Sequence, residues 1–270
     1  MERETVEKSA VPGASGDRTG WFVVAGLFVT MAMSSGFAFY NLSVYMNALV
    51  ETRGFSVAAV SASTSVFFVT GGLAGMPVGW LVQRFDPRWT MTGGAVLAAT
   101  AVLLVGRVQS LPELYAVYVL FGMGNAGFGL VPGTTLVARW FARHRSIALS
   151  ITSTGLSVGG MVITPASAQL VEHLGLPGAV PWLAAGLLLG VVPVTWLLVR
   201  TPRDRTHGTA GNAPLPGTAY GDAIRSRFFR GATAAYVGIM LAQVGGISHL
   251  YILGADRVSS ELAATAVSVL

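Results

Sequence analysis

Seven long stretches of this sequence contain no Asp, Glu, Lys or Arg, and this feature limits the folds open to the chain more than any other. The stretches are residues 19–50, 54–83, 89–106, 114–138, 146–171, 173–199 and 231–255. Each is long enough to cross the roughly 30 Å hydrocarbon core of a bilayer as a helix, which takes about 17–25 residues. Because backbone in lipid must satisfy its own hydrogen bonds, the sequence predicts an all-α membrane protein.

The overall composition supports this prediction. Hydrophobic residues make up 53% of the chain, charged residues only 11%, and the mean hydropathy is +0.63. Soluble domains carry roughly 25% charged residues, so this chain lacks the ionic surface that a protein dissolved in water needs.

The basic residues alternate between the two sides of the predicted membrane in a strongly uneven way. Fourteen Lys and Arg residues lie in the segments on the side of the N-terminus, and only Arg53, Arg107 and Arg257 lie in the opposite segments. Lys and Arg in short loops resist translocation across the membrane. We therefore expect a cytoplasmic N-terminus, with residues 1–18 as a cytoplasmic tail. This distribution of Lys and Arg argues against a seven-helix receptor, whose N-terminus would lie outside.

Residues 200–230 form the longest hydrophilic connection and contain several glycines and prolines. This composition indicates a flexible cytoplasmic linker between a six-helix bundle at residues 19–199 and the start of a second bundle at residues 231–270. The alternative is an ordinary loop between helices of one bundle. An eighth uncharged stretch runs only from Leu262 to Leu270, which predicts that the chain ends inside a helix.

Several functional classes are not favoured by the sequence. The chain has no cysteine, no Walker-type phosphate loop and no paired His or acid spacing typical of metal ligands. Its basic residues punctuate apolar stretches and do not cluster with aromatics as a nucleic-acid surface requires. We therefore predict no enzyme activity, no cofactor, no metal and no nucleic-acid partner, and the lipid bilayer as the main environment.

The connection between the second and third stretches carries a recognisable motif. Residues 79–88 read Gly-Trp-Leu-Val-Gln-Arg-Phe-Asp-Pro-Arg. This resembles the G-x-L-x-D-R-x-G-R signature of the major facilitator superfamily at Gly79, Leu81 and Arg84, with Arg88 near the trailing arginines of the motif. The resemblance implies a helical transporter fold and a gating role for this loop.

Two positions depart from that signature. Gln83 replaces the acid and Asp86 replaces the glycine, so the charge relay ascribed to this loop is in doubt here. Arg84 can cap helix carbonyls or pair with an acid when the cytoplasmic side closes. The alternative is that Arg84 and Arg88 are only anchors on the inner side of the membrane.

The connection between the fourth and fifth stretches is basic and aromatic, reading Arg-Trp-Phe-Ala-Arg-His-Arg from 139 to Arg145. Glycines follow in the fifth stretch, and Gly20-Trp21 opens the first. Together these features resemble the monocarboxylate transporter and oxalate:formate antiporter branches. The resemblance implies a secondary active transporter, an antiporter or symporter, that works by alternating access. Its expected partners are a small organic anion, such as a monocarboxylate, oxalate or formate, and protons or a counter-anion.

The residues that would contact this substrate have to be uncharged, because none of the first six stretches contains an ionisable acid or a Lys or Arg. In the resembled families the first and fourth spans line the cavity, which favours Tyr40 and Tyr118 as substrate contacts. Hydrogen bonding between helices is the alternative for every one of these residues. The full set of candidates is Tyr40, Asn41, Tyr118, Asn125, Ser153 and Gln243.

His249 is the one potentially titrating group inside a predicted span, and we expect it to be either a proton site or a neutral hydrogen-bonded histidine. Gly71 and Gly75, and likewise Gly155 and Gly159, recur four residues apart, which predicts close and smooth helix contacts.

Other functions remain open on the sequence. Within the superfamily the alternative is a multidrug or sugar exporter. A membrane-embedded enzyme or a receptor is the alternative from a different class. The excess of Arg over Lys, with abundant Ala and Gly, indicates a bacterial gene and hence the inner membrane.

Overall fold

The computed structural model describes residues 15–141, 144–200 and 220–239. The chain divides into two compact units, Met1–Arg203 and Asp204–Leu270. All described elements are helical, which confirms the predicted all-α class. The helices of the first unit are α1 Ser15–Ser34, α2 Asn41–Arg53, α3 Val57–Arg84, α4 Pro87–Val105, α5 Leu111–Phe128, α6 Leu130–Trp140 and α7 Arg145–Leu198. In the second unit α8 covers Tyr220–Arg225, and residues 227–239 are also helical.

Five helical segments of the described chain are long and apolar enough to cross a membrane. They are Thr19–Arg53, Val57–Arg84, Pro87–Val105, Leu111–Trp140 and Arg145–Leu198. The first four correspond to the first four predicted spans. The seventh predicted span, residues 231–255, is described only up to residue 239, and the predicted eighth helix lies outside the described residues.

The fifth segment contains both the fifth and the sixth predicted spans. Helix α7 has 54 residues, which as one straight helix at 1.5 Å per residue would be about 80 Å long, far more than one crossing needs. Gly175 interrupts it with φ 68° and ψ 163°, a conformation open essentially to glycine alone. We expected the boundary at Glu172, but the chain stays helical through Glu172 and His173 and breaks at Gly175.

Local sequence signals explain where several helices begin and end. The Ser56 side chain accepts a hydrogen bond from the backbone N–H of Ala59 at the start of α3. At the start of α4 the Asp86 side chain accepts one from the N–H of Arg88, with Pro87 in the first turn. Gly54 ends α2 in the left-handed conformation that glycine tolerates best. The Asp86 that departs from the family signature is thus the N-cap of α4.

Hydrogen bonds at the two ends of the first unit show that successive spans run in opposite directions. At one end the Arg88 Nε donates to the Val199 carbonyl at 2.7 Å, and the Trp140 Nε1 donates to the Arg200 carbonyl at 2.7 Å. At the other end the Arg53 Nη2 donates to the Gly106 carbonyl at 3.2 Å. The segments predicted to lie on one side of the membrane therefore meet at one end of this unit.

Glycines set the closest helix contacts. A Cβ atom at Gly159 would collide with the Ala32 carbonyl oxygen, and one at Gly155 with the Phe28 carbonyl oxygen. At Gly71 a Cβ would lie 3.3 Å from the Gly122 carbonyl oxygen. Helix α7 thus lies directly against the backbone of α1, and α3 against that of α5.

Other glycines of α3 are not packed in this way. A Cβ at Gly75 or Gly79 would make only an ordinary contact with a Val131 methyl group, at 3.5 and 3.7 Å. A Cβ at Gly72 would meet nothing within 4 Å. The end of α3 that carries the family motif is therefore packed less closely against its neighbouring helices than the part around Gly71.

This packing gives a stability prediction. Gly159→Ala forces α7 away from the α1 backbone, and overpacking of this kind costs about 1–3 kcal/mol. Gly72→Ala is the matched control, because there the added methyl group has free space and alanine favours the helix. We expect a lower thermal unfolding temperature in detergent micelles for Gly159→Ala, measured by fluorescence-detected size exclusion after heating, and an equal or higher one for Gly72→Ala. Equal loss in both variants would contradict the α1–α7 contact.

Candidate functional site

The first span loses its regular α-helical hydrogen bonding near its middle. Residues Ser35–Tyr40 form a π-helical turn between α1 and α2. Such turns are rare, and they occur frequently at functional sites. Buried side chains brace the turn on its inner side: the Tyr45 hydroxyl donates to the Phe37 carbonyl at 3.2 Å, and the Asn41 Nδ2 donates to the Tyr45 oxygen at 3.4 Å.

The fourth span is interrupted as well. Gly129, with φ −86° and ψ −132°, separates α5 from α6. Pro132 lies three residues further on and has no N–H to donate to the Phe128 carbonyl, so the helical pattern is weakened on both sides of the break.

The two interruptions face each other. The Ser34 hydroxyl donates to the Asn125 Oδ1 at 2.7 Å, which joins the start of the π-helical turn to α5. A Cβ at Gly129 would lie only 2.8 Å from the Ser34 Oγ. Broken helices that meet in mid-span are the usual setting of substrate sites in secondary transporters.

An exposed surface of mixed polar and aromatic character adjoins this region, and we call it the open wall. It consists of outward-facing residues on three elements: the π-helical turn with α2, helix α3, and the first half of α7. These residues are Phe39, Tyr40, Ser43, Asn47, Ser61, Ser65, Phe68, Ser146, Ser150, Ser153 and Ser157.

The four α7 residues of the open wall form a hydroxyl stripe, namely Ser146, Ser150, Ser153 and Ser157. Their spacing of four, three and four places them on one helix face. The neighbouring exposed face of the same helix is apolar and contains Ile147, Ile151, Val158 and Val162. In a bilayer the apolar face suits lipid, whereas the hydroxyl stripe needs water, a ligand or another polar surface.

Tyr40 connects the π-helical turn to the hydroxyl stripe. Its ring lies against Gly160, where a Cβ would be 2.6 Å from the ring carbon Cδ2. Gly160 follows Ser157 by three residues, so it lies close to the stripe on the α7 surface. The side chain remains 42% exposed. The phenol can therefore donate or accept a hydrogen bond beside the serine hydroxyls.

The structure separates the two tyrosines that the sequence favoured equally. Tyr40 lies on the open wall, whereas Tyr118 is completely buried in the core of the first unit. The Tyr118 hydroxyl makes no hydrogen bond within the described residues, although the Ser63 side chain lies beside it. Substrate contact by Tyr118 stays a prediction, and it would require the core to open.

The remaining predicted site residues lie in different surroundings. Ser153 lies on the open wall, and Asn125 joins the two helix interruptions. Asn41 is buried, and its Oδ1 has no hydrogen-bond partner among the described residues. Gln243 and His249 lie outside the described residues.

The motif loop is built around aromatic rings and helix ends. The Arg84 guanidinium lies over the Trp80 ring at 5.3 Å, and that of Arg88 lies over the Trp196 ring at 5.7 Å. Arg88 caps a helix end through the Val199 carbonyl. The capping or acid pairing of Arg84 on closure of the cytoplasmic side stays a prediction.

The other residues of the predicted gating set lie at or near helix ends. Gln83 is exposed near the end of α3, and Leu81 is half-buried. Arg145 is exposed as the first residue of α7. No acidic partner of Arg84 or Arg88 is found among the described residues.

Residues 155–159 read Gly-Leu-Ser-Val-Gly, which matches the letters of a hydrolase nucleophile elbow. Such an elbow requires a sharp turn between a strand and a helix. Here the five residues lie inside α7, where Ser157 belongs to the hydroxyl stripe. The context is therefore that of a membrane helix and not of a nucleophile.

Sequence reasoning missed most of the open wall. The signal for the hydroxyl stripe was available, since serines at 146, 150, 153 and 157 follow helical spacing. The π-helical turn has no comparable signal, because no proline or charged residue marks it.

The comparisons with known proteins agree on one family. Residues 27–270 match the sequence profile of the Major Facilitator Superfamily. The oxalate:formate antiporter of Oxalobacter formigenes is 29% identical over 182 residues, covering 67% of this chain and 42% of that protein. Monocarboxylate transporter 13 of Bos taurus is 28% identical over 241 residues, covering 88% of this chain and 55% of that protein.

The fold is also found among solved structures. The chain resembles a crystal structure of a peptide transporter, POT, in complex with alafosfalin, with a TM-score of 0.56 and 17% identity. The match covers 90% of this chain and 53% of that one. The chain thus spans about half the length of these relatives, or less.

The open wall can be tested with single cysteines, since the chain contains none of its own. We expect Ser153→Cys and Ser157→Cys to react with a membrane-impermeant methanethiosulfonate reagent, because a thiol ionises readily only in contact with water. Val158→Cys on the apolar face and Thr152→Cys in the core are the matched controls and should react at least about tenfold more slowly. Faster labelling at Val158→Cys than at Ser157→Cys would show that the wall does not face water.

Proposed function

This chain belongs to the Major Facilitator Superfamily, and we propose that it carries the first six-helix half of a secondary active transporter for small organic anions. The transporter works by alternating access in a bacterial inner membrane, with its N-terminus in the cytoplasm. The orientation is supported by the uneven distribution of Lys and Arg between the two sides. Membership of the family supports a multi-pass transport protein rather than an enzyme.

The observation that carries the proposal is the open wall next to two interrupted helices. Exposed serine and asparagine on several spans of a membrane protein suit contact with water, a ligand or other polar groups, although Ser43 and Ser65 already donate to carbonyls of their own helix. The interruption at Ser35–Tyr40 contributes Phe39 and Tyr40 to this surface, and Gly129 lies against Ser34 at the start of that interruption. In secondary transporters such discontinuous helices form substrate sites near the middle of the membrane.

The anion preference is supported by the chemistry of the wall. It carries hydroxyl, amide and phenol groups that can donate hydrogen bonds to a carboxylate, and it contains no Asp or Glu that would repel one. The names of two relatives, an oxalate:formate antiporter and a monocarboxylate transporter, point in the same direction. Exchange of one anion for another fits a wall without acidic, basic or histidine side chains. Proton coupling through His249 would use a residue outside the described part of the chain.

A second candidate is the export of a neutral substrate such as a sugar. It is favoured by one observation: the described wall contains no Lys or Arg to pair with a carboxylate. Hydroxyl and amide groups beside aromatic rings also suit a sugar. Transport assays separate the two candidates.

The proposal predicts carboxylate uptake by the protein expressed from its complete gene and reconstituted in proteoliposomes. We expect radiolabelled lactate, pyruvate, oxalate or formate to accumulate against unlabelled acid inside the vesicles, as an exchanger requires. Protein-free liposomes are the control for leakage. If none of the four acids competes for uptake while a sugar or a hydrophobic cation does, the organic-anion proposal is wrong.

The two tyrosines give a matched pair of variants. Tyr40→Phe removes an exposed phenol from the open wall, and loss of one hydrogen bond to a charged group, about 1.5–3 kcal/mol, should raise the KM for the carboxylate roughly tenfold or more. Tyr118→Phe removes the same hydroxyl from the core, where it has no hydrogen-bond partner among the described residues, so KM should stay unchanged. A rise in KM for Tyr118→Phe but not for Tyr40→Phe would reverse this assignment.

A further inference from the structure

Three aromatic rings are exposed on the open wall, and the proposed function does not yet account for them. Phe39 is 46% exposed, Tyr40 is 42% exposed and Phe68 is 48% exposed. They form one cluster: the Phe39 ring centroid lies 5.0 Å from that of Tyr40 and 5.6 Å from that of Phe68, both in edge-to-face geometry. The π-helical turn and α3 therefore present a single apolar patch.

This patch is fixed from behind by further rings. Phe68 contacts Phe67 at 5.3 Å, and Phe67 contacts the buried Phe121 at 5.2 Å. Phe121 in turn lies 6.2 Å from Tyr45, which braces the π-helical turn. The exposed rings are thus the outer end of a continuous aromatic stack that reaches the core, so their positions are set by packing.

The neighbours of the patch indicate that it faces the polar surface and not lipid. On α3, Ser61 and Ser65 precede Phe68 by seven and three residues and share its face. On α2, Ser43 and Asn47 continue the exposed face beyond Tyr40. Ser43 and Ser65 donate to carbonyls of their own helix, whereas the exposed Asn47 amide has no hydrogen-bond partner among the described residues and would be costly in contact with lipid tails.

An apolar patch inside an otherwise polar, uncharged wall matches a ligand that has both characters. Binding sites for small molecules combine aromatic and apolar lining with a few placed polar groups. Aromatic rings prefer edge-to-face or offset partners, and the edge-to-face cluster leaves ring surface open for one more ring. A ligand with only one or two carbon atoms, such as formate or oxalate, would leave this patch uncovered.

We infer that the preferred substrate is a monocarboxylate that bears an aromatic ring. Phe39 and Phe68 hold the ring, and Tyr40 with the hydroxyl stripe holds the polar end. The inference rests on the proposed function and adds the chemical class of the substrate to it.

Lactate and 3-phenyllactate form a matched ligand pair for the test, because they differ only by the phenyl ring. Competition against labelled substrate in proteoliposomes at pH 7.5, where both acids are ionised, gives an inhibitory concentration for each. We expect 3-phenyllactate to compete at about tenfold lower concentration than lactate. Phe68→Leu and Phe39→Leu should remove most of this advantage while changing the value for lactate less than about twofold. Phe22→Leu, an exposed ring elsewhere on α1, is the control and should change neither value.

A second measurement reports binding without transport. Bound 3-phenyllactate should protect Ser157→Cys from the impermeant thiol reagent more strongly than the same concentration of lactate, and Phe68→Leu in the same background should abolish the difference. These side chains are exposed, so the leucine variants should fold normally.

The possible results distinguish failure of the aromatic preference from failure of the proposed function. If lactate or oxalate competes but 3-phenyllactate does not compete better, the aromatic preference is wrong and the organic-anion transporter stands. The preference is also wrong if Phe68→Leu weakens both ligands equally. If no carboxylate competes or protects, the proposed function itself fails.

Discussion

The absence of water in the bilayer core governs this structure, because each peptide N–H and C=O there has to find a partner within the protein. Continuous helices meet this requirement over most of the described spans. Two mid-span interruptions in the first unit, Ser35–Tyr40 and Gly129, lie side by side, and the Ser34–Asn125 hydrogen bond joins their flanks. Irregular backbone at this depth is tolerated only where it is buried in protein or lines a polar cavity, so its location marks the site better than any single side chain does.

Close helix contacts determine which parts of the unit can move. Helices in lipid gain little from hydrophobic association, so direct backbone approach at small residues holds them together. Gly155 and Gly159 bring α7 against α1 without space for a methyl group, whereas Gly75 and Gly79 leave room beside Val131. In the proposed mechanism the contact between α7 and α1 belongs to the rigid body of the bundle. The looser packing at Gly75 and Gly79 leaves the motif end of α3 free to change its packing when the gate moves.

Hydropathy predicted the spans because the number of consecutive apolar residues needed to cross the membrane can be read directly from the sequence. The first four predicted spans agree with the structure to within a few residues at most ends. The boundary at Gly175 was misplaced because Glu172 and His173 interrupt an apolar run without interrupting a helix. The site was harder to predict. Tyr40 and Tyr118 both lie in uncharged runs, yet one is exposed and the other buried, since in a membrane protein apolar residues cover the inner and the outer faces alike. Only the packing of neighbouring spans decides between them.

The π-helical turn explains why the wall has the composition it does. Each residue added to a helix turns the side chains that follow by roughly 100°, because an α-helix has 3.6 residues per turn. The turn at Ser35–Tyr40 therefore gives α2 an outward direction different from that of α1. Between residues 26 and 38 the first span has no exposed side chain, whereas Phe39 and Tyr40 at the end of the turn and Ser43 and Asn47 beyond it are exposed. Tyr45 and Asn41 point inward and hold the turn in place. A local change in backbone hydrogen bonding thus separates the buried polar side chains that fix the turn from the exposed polar and aromatic side chains that we propose bind the substrate.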